Sequence, residues 1–239
     1  MYTELDQENS LAEFREPYPS VPLFTDIHTQ DGVRTAATVC ECGYLKLTMV
    51  DESKDELLKA WTRSFDGPLT CVMIMKPNLY RDSLFPTFLG DKIKFPVRET
   101  NRSLSMVVTY SLGESRIFSD ILTDGLENCQ SLESSDLYDC VTSAWAADLT
   151  FDGNLTILLG TFGQELLAYR RDGAGWNLQW RRSFPAPIVG VRYADLTGDG
   201  VKEVIVITTS GVQILQHDLE NVKETALKRL NMISKLVNT

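Results

Sequence analysis

The sequence contains few of the residues on which catalysis and membrane insertion usually depend. Only two of its 239 residues are histidines, and neither has an evident nucleophile partner, so acid–base catalysis has little support. The motifs of phosphate-binding loops, serine hydrolases, zinc peptidases and dinucleotide-binding folds are all missing. No apolar run approaches the roughly eighteen residues that a membrane-spanning helix needs. These absences argue against an enzyme of those classes and against insertion into a membrane.

Positive charge is scarce as well. The chain has 33 acidic and 23 basic residues, which gives a net charge of −10. Because binding to a phosphate backbone requires a basic face, this balance argues against nucleic acid as the main partner. Residues 1–20 are acidic and polar, unlike a signal peptide, and we expect them to form a disordered arm. The expected compartment is therefore the cytoplasm, where the five cysteines stay reduced.

What the sequence does contain is a repeated pattern of short strands. Residues 195–216 combine an acidic loop, a β-branched run at 204–207, a tight turn and a second strand. The same order begins at Asp148, at an offset of 195 − 148 = 47 residues. Repeats of this length that hold several strands are typical of propeller blades. The run at 204–207 predicts a strand that is buried on both faces.

Other stretches fit the same rhythm. Strands are predicted at residues 34–40, 43–50, 57–65, 69–75, 104–110, 115–121, 140–147, 176–184 and 188–193. The motif WTRSF at 61–65 recurs as WRRSF at 180–184. We therefore predict an all-β fold over residues 21–217, a partial β-propeller of three to four antiparallel four-stranded blades. No strand that could close the ring is evident in residues 1–20.

Two segments depart from the blade pattern. Residues 77–102 contain three prolines and several aromatic residues, and they form either a loop folded onto its own surface or a loop that docks a partner. Residues 218–239 predict a C-terminal amphipathic helix capped by Asp218. Its apolar stripe consists of Leu219, Val222, Ala226, Leu227, Leu230, Ile233 and Val237. Packing against the propeller and docking onto another subunit both remain open for this helix.

The acidic loop of the later repeat is a candidate calcium site. Its oxygen donors are Asp195, Thr197, Asp199 and Glu203, together with the carbonyl of Val201. Their order resembles the calcium loops of integrin-type FG-GAP blades. The alternative is a turn in which the aspartates bind their own backbone N–H groups. The earlier copy, with Asp148, Thr150 and Asp152, has Thr156 in place of the glutamate and is a weaker candidate.

Four arginines are the candidate partner-binding residues. Arg170, Arg171, Arg181 and Arg182 flank one predicted hairpin, so their guanidinium groups are expected to cluster. Such a cluster would suit an acidic partner, for example an actin surface. A solvated hairpin edge explains the same residues, because charged edges also discourage aggregation of sheets.

Three stretches resemble the C-terminal half of the kaptin family. They are TFGQELLAYR at 161–170, the segment at 178–219 that begins LQWRRSFPAPIVGVRYADLTGDG, and the terminal helix. The resemblance covers about residues 20–235 and is most specific in the last ninety or so. The family's N-terminal half has no counterpart here, and the loop at 77–102 is longer and more aromatic than the family leads us to expect.

The resemblance implies an FG-GAP-like β-propeller without enzymatic activity or a cofactor, calcium apart. It implies a scaffold subunit of the KICSTOR complex, which tethers the GATOR complex to lysosomes and restrains TOR signalling when nutrients are scarce. Members of the family are also described as actin-associated, so the alternative is a filament-binding protein of the cytoskeleton. A third class, an extracellular calcium-dependent adhesion module, is disfavoured because no signal peptide is evident. The expected partners are therefore proteins, at the lysosomal surface or on actin.

Overall fold

The computed structural model describes residues 11–76, 103–173 and 175–237. Within these ranges the chain forms four antiparallel sheets and one α-helix. The first sheet contains β1 (Pro22–Gln30), β2 (Val33–Cys40), β3 (Tyr44–Asp51) and β4 (Glu56–Ser64). The second contains β5 (Leu69–Met75), β6 (Ser105–Tyr110), β7 (Arg116–Phe118) and β8 (Cys129–Ser131). The third contains β9 (Val141–Ala147), β10 (Thr156–Thr161), β11 (Glu165–Asp172) and β12 (Gly175–Ser183). The fourth contains β13 (Ile188–Ala194), β14 (Glu203–Thr208) and β15 (Gly211–Leu215), and α1 (Leu219–Val237) follows.

The four sheets lie side by side with their first strands together. In each sheet the strands are hydrogen-bonded in chain order. β1 packs against β5, β5 against β9, and β9 against β13, so each first strand contacts the first strand of the next sheet. This is how propeller blades pack around a shared axis. The predicted partial propeller is confirmed, with three four-stranded blades and one three-stranded blade in the described residues.

Three apolar layers hold the blades together, one between each pair of neighbours. β5 shows why the middle blades need two neighbours, since its side chains alternate between two layers. Val72 and Ile74 belong to the layer shared with the first sheet, whereas Cys71 and Met73 belong to the layer shared with the third. Every side chain of β6 and β10 is buried.

A glycine sets the approach of the third and fourth sheets. A Cβ added to Gly160 on β10 would lie 2.6 Å from Cγ2 of Ile188 on β13 and 2.8 Å from Oγ of Ser143. Real Cβ atoms do not approach other heavy atoms so closely, so a larger residue here would push the two sheets apart. The absence of a side chain at this position lets the fully buried Ile188 fill the layer.

The strand at 204–207 does not have both faces buried, as its sequence predicted. Val204 and Val206 are buried against the third sheet, but Ile207 is 37% exposed and Ile205 is half-buried. The prediction is wrong for this face because the described residues contain no fifth sheet beyond the fourth. A β-branched run therefore marked a strand correctly without revealing that it lies at one end of the array.

The start of the chain is more structured than the sequence predicted. Ala12–Phe14 form a 3-10 helix, and Glu13 is buried beside Arg34 of β2. The expectation of a disordered arm is therefore wrong for residues 11–20, while residues 1–10 lie outside the described ranges. β1 was also not anticipated as a separate strand, so the strand predicted at 57–65 is the fourth of its blade and not the third.

The remaining expectations concern the two segments outside the blades. The predicted loop at 77–102 lies outside the described residues. The predicted cap of the C-terminal helix is present, because the Asp218 carboxylate accepts a hydrogen bond of 3.0 Å from the Glu220 N–H. Val222 of this helix is buried, whereas Leu219 and Leu227 are exposed. Among the described residues, no helix has the length and apolarity that a membrane crossing requires.

Candidate functional site

The later acidic loop joins β13 to β14 and is organised by Asp195. The two oxygens of its carboxylate accept hydrogen bonds from the backbone N–H groups of Gly198, at 2.7 Å, and Gly200, at 2.9 Å. Both glycines have positive φ, +74° and +87°, which residues with a Cβ seldom adopt. Asp199 accepts a hydrogen bond from the Val201 N–H. The aspartates therefore close the turn on themselves.

Glu203, at the start of β14, holds the other end of the loop in place through hydrogen bonds. Its side chain is buried, and it accepts hydrogen bonds from the Leu196 N–H at 2.9 Å and from the Thr197 hydroxyl at 3.2 Å. One carboxylate oxygen from each of Asp195, Asp199 and Glu203 lies within 4.8 Å of the others. The four residues singled out in the sequence are thus brought together. Their mutual bonds account for the turn without a cation, and calcium binding stays a prediction.

The earlier loop, between β9 and β10, has the same construction. The Asp148 carboxylate accepts hydrogen bonds from the N–H groups of Asp152 and Gly153. Asp152 in turn pairs with the Arg170 guanidinium on β11. Burial opposes ionisation of Asp152, but the Asn154 N–H and the Arg170 guanidinium together lower its pKa. In this copy an arginine already supplies the positive charge beside the loop.

His217 follows β15 directly after Gln216, the residue that the register of the fourth sheet makes the counterpart of Arg170. The His217 ring lies 4.8 Å from the Phe151 ring of the earlier loop, and its Nε2 is 3.0 Å from the Tyr193 hydroxyl. Burial lowers the pKa of His217, although Glu203 and Asp148 act in the opposite direction. The histidine therefore packs between the earlier loop and β13, and it is uncharged near neutral pH.

The four arginines do not form one cluster. Arg170 pairs with Asn177 across the hairpin, whereas Arg182 pairs with Leu166. Asn177 and Arg182 are five positions apart on β12, which is about 16 Å along a strand. Arg170 is bound to Asp152, and the Arg181 guanidinium lies over the Tyr138 ring and 3.5 Å from Glu165. The expected cluster is therefore split into two pairs, one at each end of the strands.

Sequence reasoning missed a cavity between the first and second sheets. It has a volume of about 280 Å³ and is lined by Arg63, Phe65, Tyr110 and Arg116 among others. Part of its lining could have been found from the sequence, because Arg63 and Phe65 belong to the motif WTRSF, which recurs as WRRSF at 180–184. Most of the other lining residues lie on β6, on β7 and in the turn between them, and only the packing of the second sheet against the first brings them to the motif.

The architecture defines the class of protein: a propeller-type array with candidate sites in its loops and between its blades. The family model for KICSTOR complex protein kaptin matches residues 1–227. The chain is 34% identical to the KICSTOR complex protein kaptin of Mus musculus, over 96% of this chain and 52% of that protein. The chain belongs to this family, and it spans about half the length of the curated relative.

Solved structures show the same fold at lower identity. A crystal structure of BBS1N in complex with ARL6DN, soaked with mercury, matches with a TM-score of 0.53 and 14% identity. The match covers 85% of this chain and 54% of that one. The same complex soaked with lead matches with a TM-score of 0.51 and 13% identity, over 82% and 50% of the two chains. At these identities the likeness concerns the fold alone.

Proposed function

We propose that this chain is a non-enzymatic scaffold subunit that works within a KICSTOR-type complex at the lysosomal surface. The observation that carries the proposal is the family match, which extends over residues 1–227 and includes all four blades. In this role the blades present surfaces to the other subunits and to the GATOR complex, and the assembly restrains TOR signalling when amino acids or glucose are scarce. Because the chain spans about half of its curated relative, the whole protein's partners are part of this proposal.

The chemistry of the described residues supports a surface-presenting role. The carboxylates of both acidic loops are used to close turns. Burial lowers the pKa of both His28 and His217, and neither has an activated nucleophile beside it in the described part of the chain. In contrast, the fourth sheet exposes Ile207, Val212 and Ile214 on one face. Exposed apolar faces of this kind are typical of surfaces that another protein covers.

The experiment is a rescue in cells from which the endogenous family member has been removed. We expect the tagged 239-residue chain to co-precipitate other KICSTOR subunits. We also expect TOR activity to fall again when amino acids are withdrawn, as it does in unmodified cells. Lysosomal recovery of GATOR subunits provides a separate readout. Recovery of no KICSTOR subunit from cells that contain soluble, folded chain would overturn the proposal. Recovery of the subunits without restored starvation response would separate membership of the complex from its regulatory activity.

The alternative, direct binding to actin filaments, comes from the family resemblance, and the four arginines that were its candidate contact lie in two separate pairs. Arg171 and Arg181 remain exposed at opposite ends of the hairpin. Cosedimentation with filamentous actin, with and without glutamate at both positions, tests this alternative. We expect no difference between the two proteins, because neither pair alone presents an extended basic face.

A further inference from the structure

The cavity between the first and second sheets has the size of a small ligand group. Its volume of about 280 Å³ lies at or below the roughly 300–1000 Å³ of pockets for drug-sized ligands. It lies where β4 ends and where β6 turns into β7, at the rim of the first apolar layer. A group of a few atoms fits inside it, whereas a large cofactor does not.

Two guanidinium groups converge on one aromatic ring in this cavity. The Arg63 and Arg116 guanidinium carbons lie 5.3 Å and 5.5 Å from the centre of the Phe65 ring. Stacking uses the faces of the guanidinium groups and leaves the N–H donors at their edges. Arg63 donates one hydrogen bond, of 3.0 Å, to the Leu126 carbonyl. In the described part of the chain, the Arg116 side chain makes no hydrogen bond and no ion pair.

Among the described residues, only one acidic side chain lines the cavity. Asp66 is exposed at its rim, and it forms no ion pair with either arginine among the described residues. Elsewhere the protein pairs its half-buried arginines: Arg34 with Glu13 and Asp55, and Arg170 with Asp152. In a chain with a net charge of −10, two arginines that share a cavity without a neutralising pair are an exception.

A buried hydroxyl without a partner points to the same place. Tyr110 also lines the cavity, is only 8% exposed, and its hydroxyl forms no hydrogen bond among the described residues. Buried polar groups are normally satisfied, because leaving one without a partner costs free energy. Burial raises the pKa of Tyr110 to about 12, against the opposing effect of Arg116. The hydroxyl therefore keeps its proton at neutral pH, and it is a donor without an acceptor among the described residues.

The equivalent junction between the third and fourth sheets shows that the fold does not need this arrangement. Arg182 lies over Phe184 at 5.8 Å, as Arg63 lies over Phe65. Tyr110 pairs with the first residue of β5, and its counterpart on β14, which pairs with the first residue of β13, is Thr208. By the same register the counterpart of Arg116 is Gln213. The second arginine and the tyrosine are thus additions at one junction of a repeated design.

We propose that the cavity is an oxyanion site that holds a phosphate group between Arg63, Arg116 and the Tyr110 hydroxyl. Guanidinium edges match the spacing of phosphate oxygens and bind them through charge-assisted hydrogen bonds. Three donor groups from separate strands suit a tetrahedral anion better than a planar carboxylate. The phosphate group belongs either to a free anion or to a phosphorylated side chain of a partner.

The test measures binding of inorganic phosphate and of a phosphoserine peptide to the full 239-residue chain by calorimetry, with the unphosphorylated peptide and acetate alongside. We expect saturable binding at one site and a rise in the melting temperature with phosphate. Arg116→Gln, which installs the residue found at the equivalent position, should weaken binding by about tenfold or more. Tyr110→Phe keeps the ring, loses a hydroxyl without a partner, and should weaken binding by a smaller factor without lowering stability.

Arg182→Gln is the matched control at the other junction, and it should leave phosphate binding unchanged. Tighter binding of the phosphopeptide than of phosphate identifies a partner's side chain as the source, and equal affinity identifies the free anion. Absence of saturable binding by both probes would overturn the proposal. So would an unchanged affinity in folded Arg116→Gln protein, an equal loss in Arg182→Gln, or acetate binding as tightly as phosphate. None of these outcomes depends on membership of a KICSTOR complex.

Discussion

Among the described residues, the first and fourth sheets lie at the two ends of the array, and their outward faces are built differently. The outward face of the first sheet is polar, with Arg34, Thr38 and Lys46 on neighbouring strands, and residues 11–20 cover it. The Tyr18 hydroxyl lies 3.3 Å from the Thr38 hydroxyl, and its ring lies beneath the Lys46 ammonium. The outward face of the fourth sheet is apolar, and Val212 and Ile214 are 61% and 52% exposed.

The difference shows that the two ends meet different requirements. The buried Glu13 carboxylate needs the Arg34 guanidinium, so the polar face is specific for the segment that brings Glu13 to it. An apolar face has no such demand and can be covered by any surface of matching shape. In the inner blades that surface is the next sheet. If the first end is covered within the chain and the fourth sheet is not, substitutions at the two outward faces should differ in their effect on stability.

The largest expected effect is on the charged pair at the first end. The Glu13 side chain is 1% exposed, and Arg34 contacts its two oxygens at 2.7 Å and 2.8 Å. Arg34→Met would leave a buried carboxylate without its cation, and we expect a loss of about 3–5 kcal/mol in the free energy of unfolding. Urea denaturation measures it. Combining this change with Glu13→Leu should recover most of the loss, because neither charge is then buried alone.

Arg15→Met is the matched control for that pair. Arg15 also contacts Asp55, at 2.7 Å, but its side chain is 48% exposed. An exposed ion pair contributes about 1 kcal/mol or less, so this variant should resemble the parent. Equal losses in Arg15→Met and Arg34→Met would show that residues 11–20 do not seal the first sheet.

The second prediction compares the two faces of the fourth sheet. Ile188 is fully buried in the layer shared with the third sheet, and Ile188→Ala should lower the free energy of unfolding by about 2–5 kcal/mol. Ile214→Ala makes the same change on the outward face and should alter it by about 0.5 kcal/mol at most. Chemical denaturation of both variants is the measurement. A large loss in Ile214→Ala would mean that the outward face is covered after all.

The blades were predictable because they repeat, and the ends were not. The offset of 47 residues placed Asp148 and Asp195 correctly as equivalent loops of neighbouring sheets. Nothing in the periodicity of residues 204–207 distinguishes a middle sheet from a final one, because both sheets need an apolar strand. The burial of Glu13 was harder still to predict, since buried carboxylates are rare and its partner Arg34 is 21 residues away in the sequence.

The candidate sites divide in the same way. The donors of the later acidic loop are close in sequence, so their spacing alone brought Asp195, Asp199 and Glu203 together. The arginine cluster failed because alternation and strand length place Arg170 and Arg182 at opposite ends of one hairpin. The cavity between the first and second sheets could not be found from spacing in the sequence, because packing between the two sheets brings Arg116 to the motif that begins at Trp61.

A third prediction concerns self-association. Ile207 and Ile214 are exposed on the outward face, and an uncovered apolar sheet face promotes association between copies. Replacing both with lysine should reduce the concentration dependence of the sedimentation coefficient while leaving unfolding nearly unchanged. Leu58→Lys, at an exposed leucine of the first sheet, is the control and should have little effect. If the control and the double variant behave alike, general hydrophobicity and not the fourth sheet governs association.

The smallest expected effect is electrostatic and concerns Asp26 of the first sheet and Arg192 of the fourth. Burial raises the pKa of Asp26 on β1 above its ordinary value, although the Ile74 N–H and Arg192 of β13 lower it. A carboxyl whose pKa is raised by folding contributes stability at low pH, and this is lost as the pH rises through its folded pKa. Arg192→Gln removes one opposing charge, so the pKa of Asp26 should rise further and the loss should extend to higher pH.

Carboxyl chemical shifts of Asp26 followed by NMR through an acid titration measure this change, with unfolding free energies between mildly acidic and neutral pH as the second readout. Asp26→Asn should abolish the corresponding part of the pH dependence, since no proton is then bound or released at that position. Arg171→Gln, an exposed arginine of the third sheet, should leave the pKa of Asp26 unchanged. An unchanged pKa of Asp26 in Arg192→Gln would mean that Arg192 of the fourth sheet does not act electrostatically on Asp26 of the first.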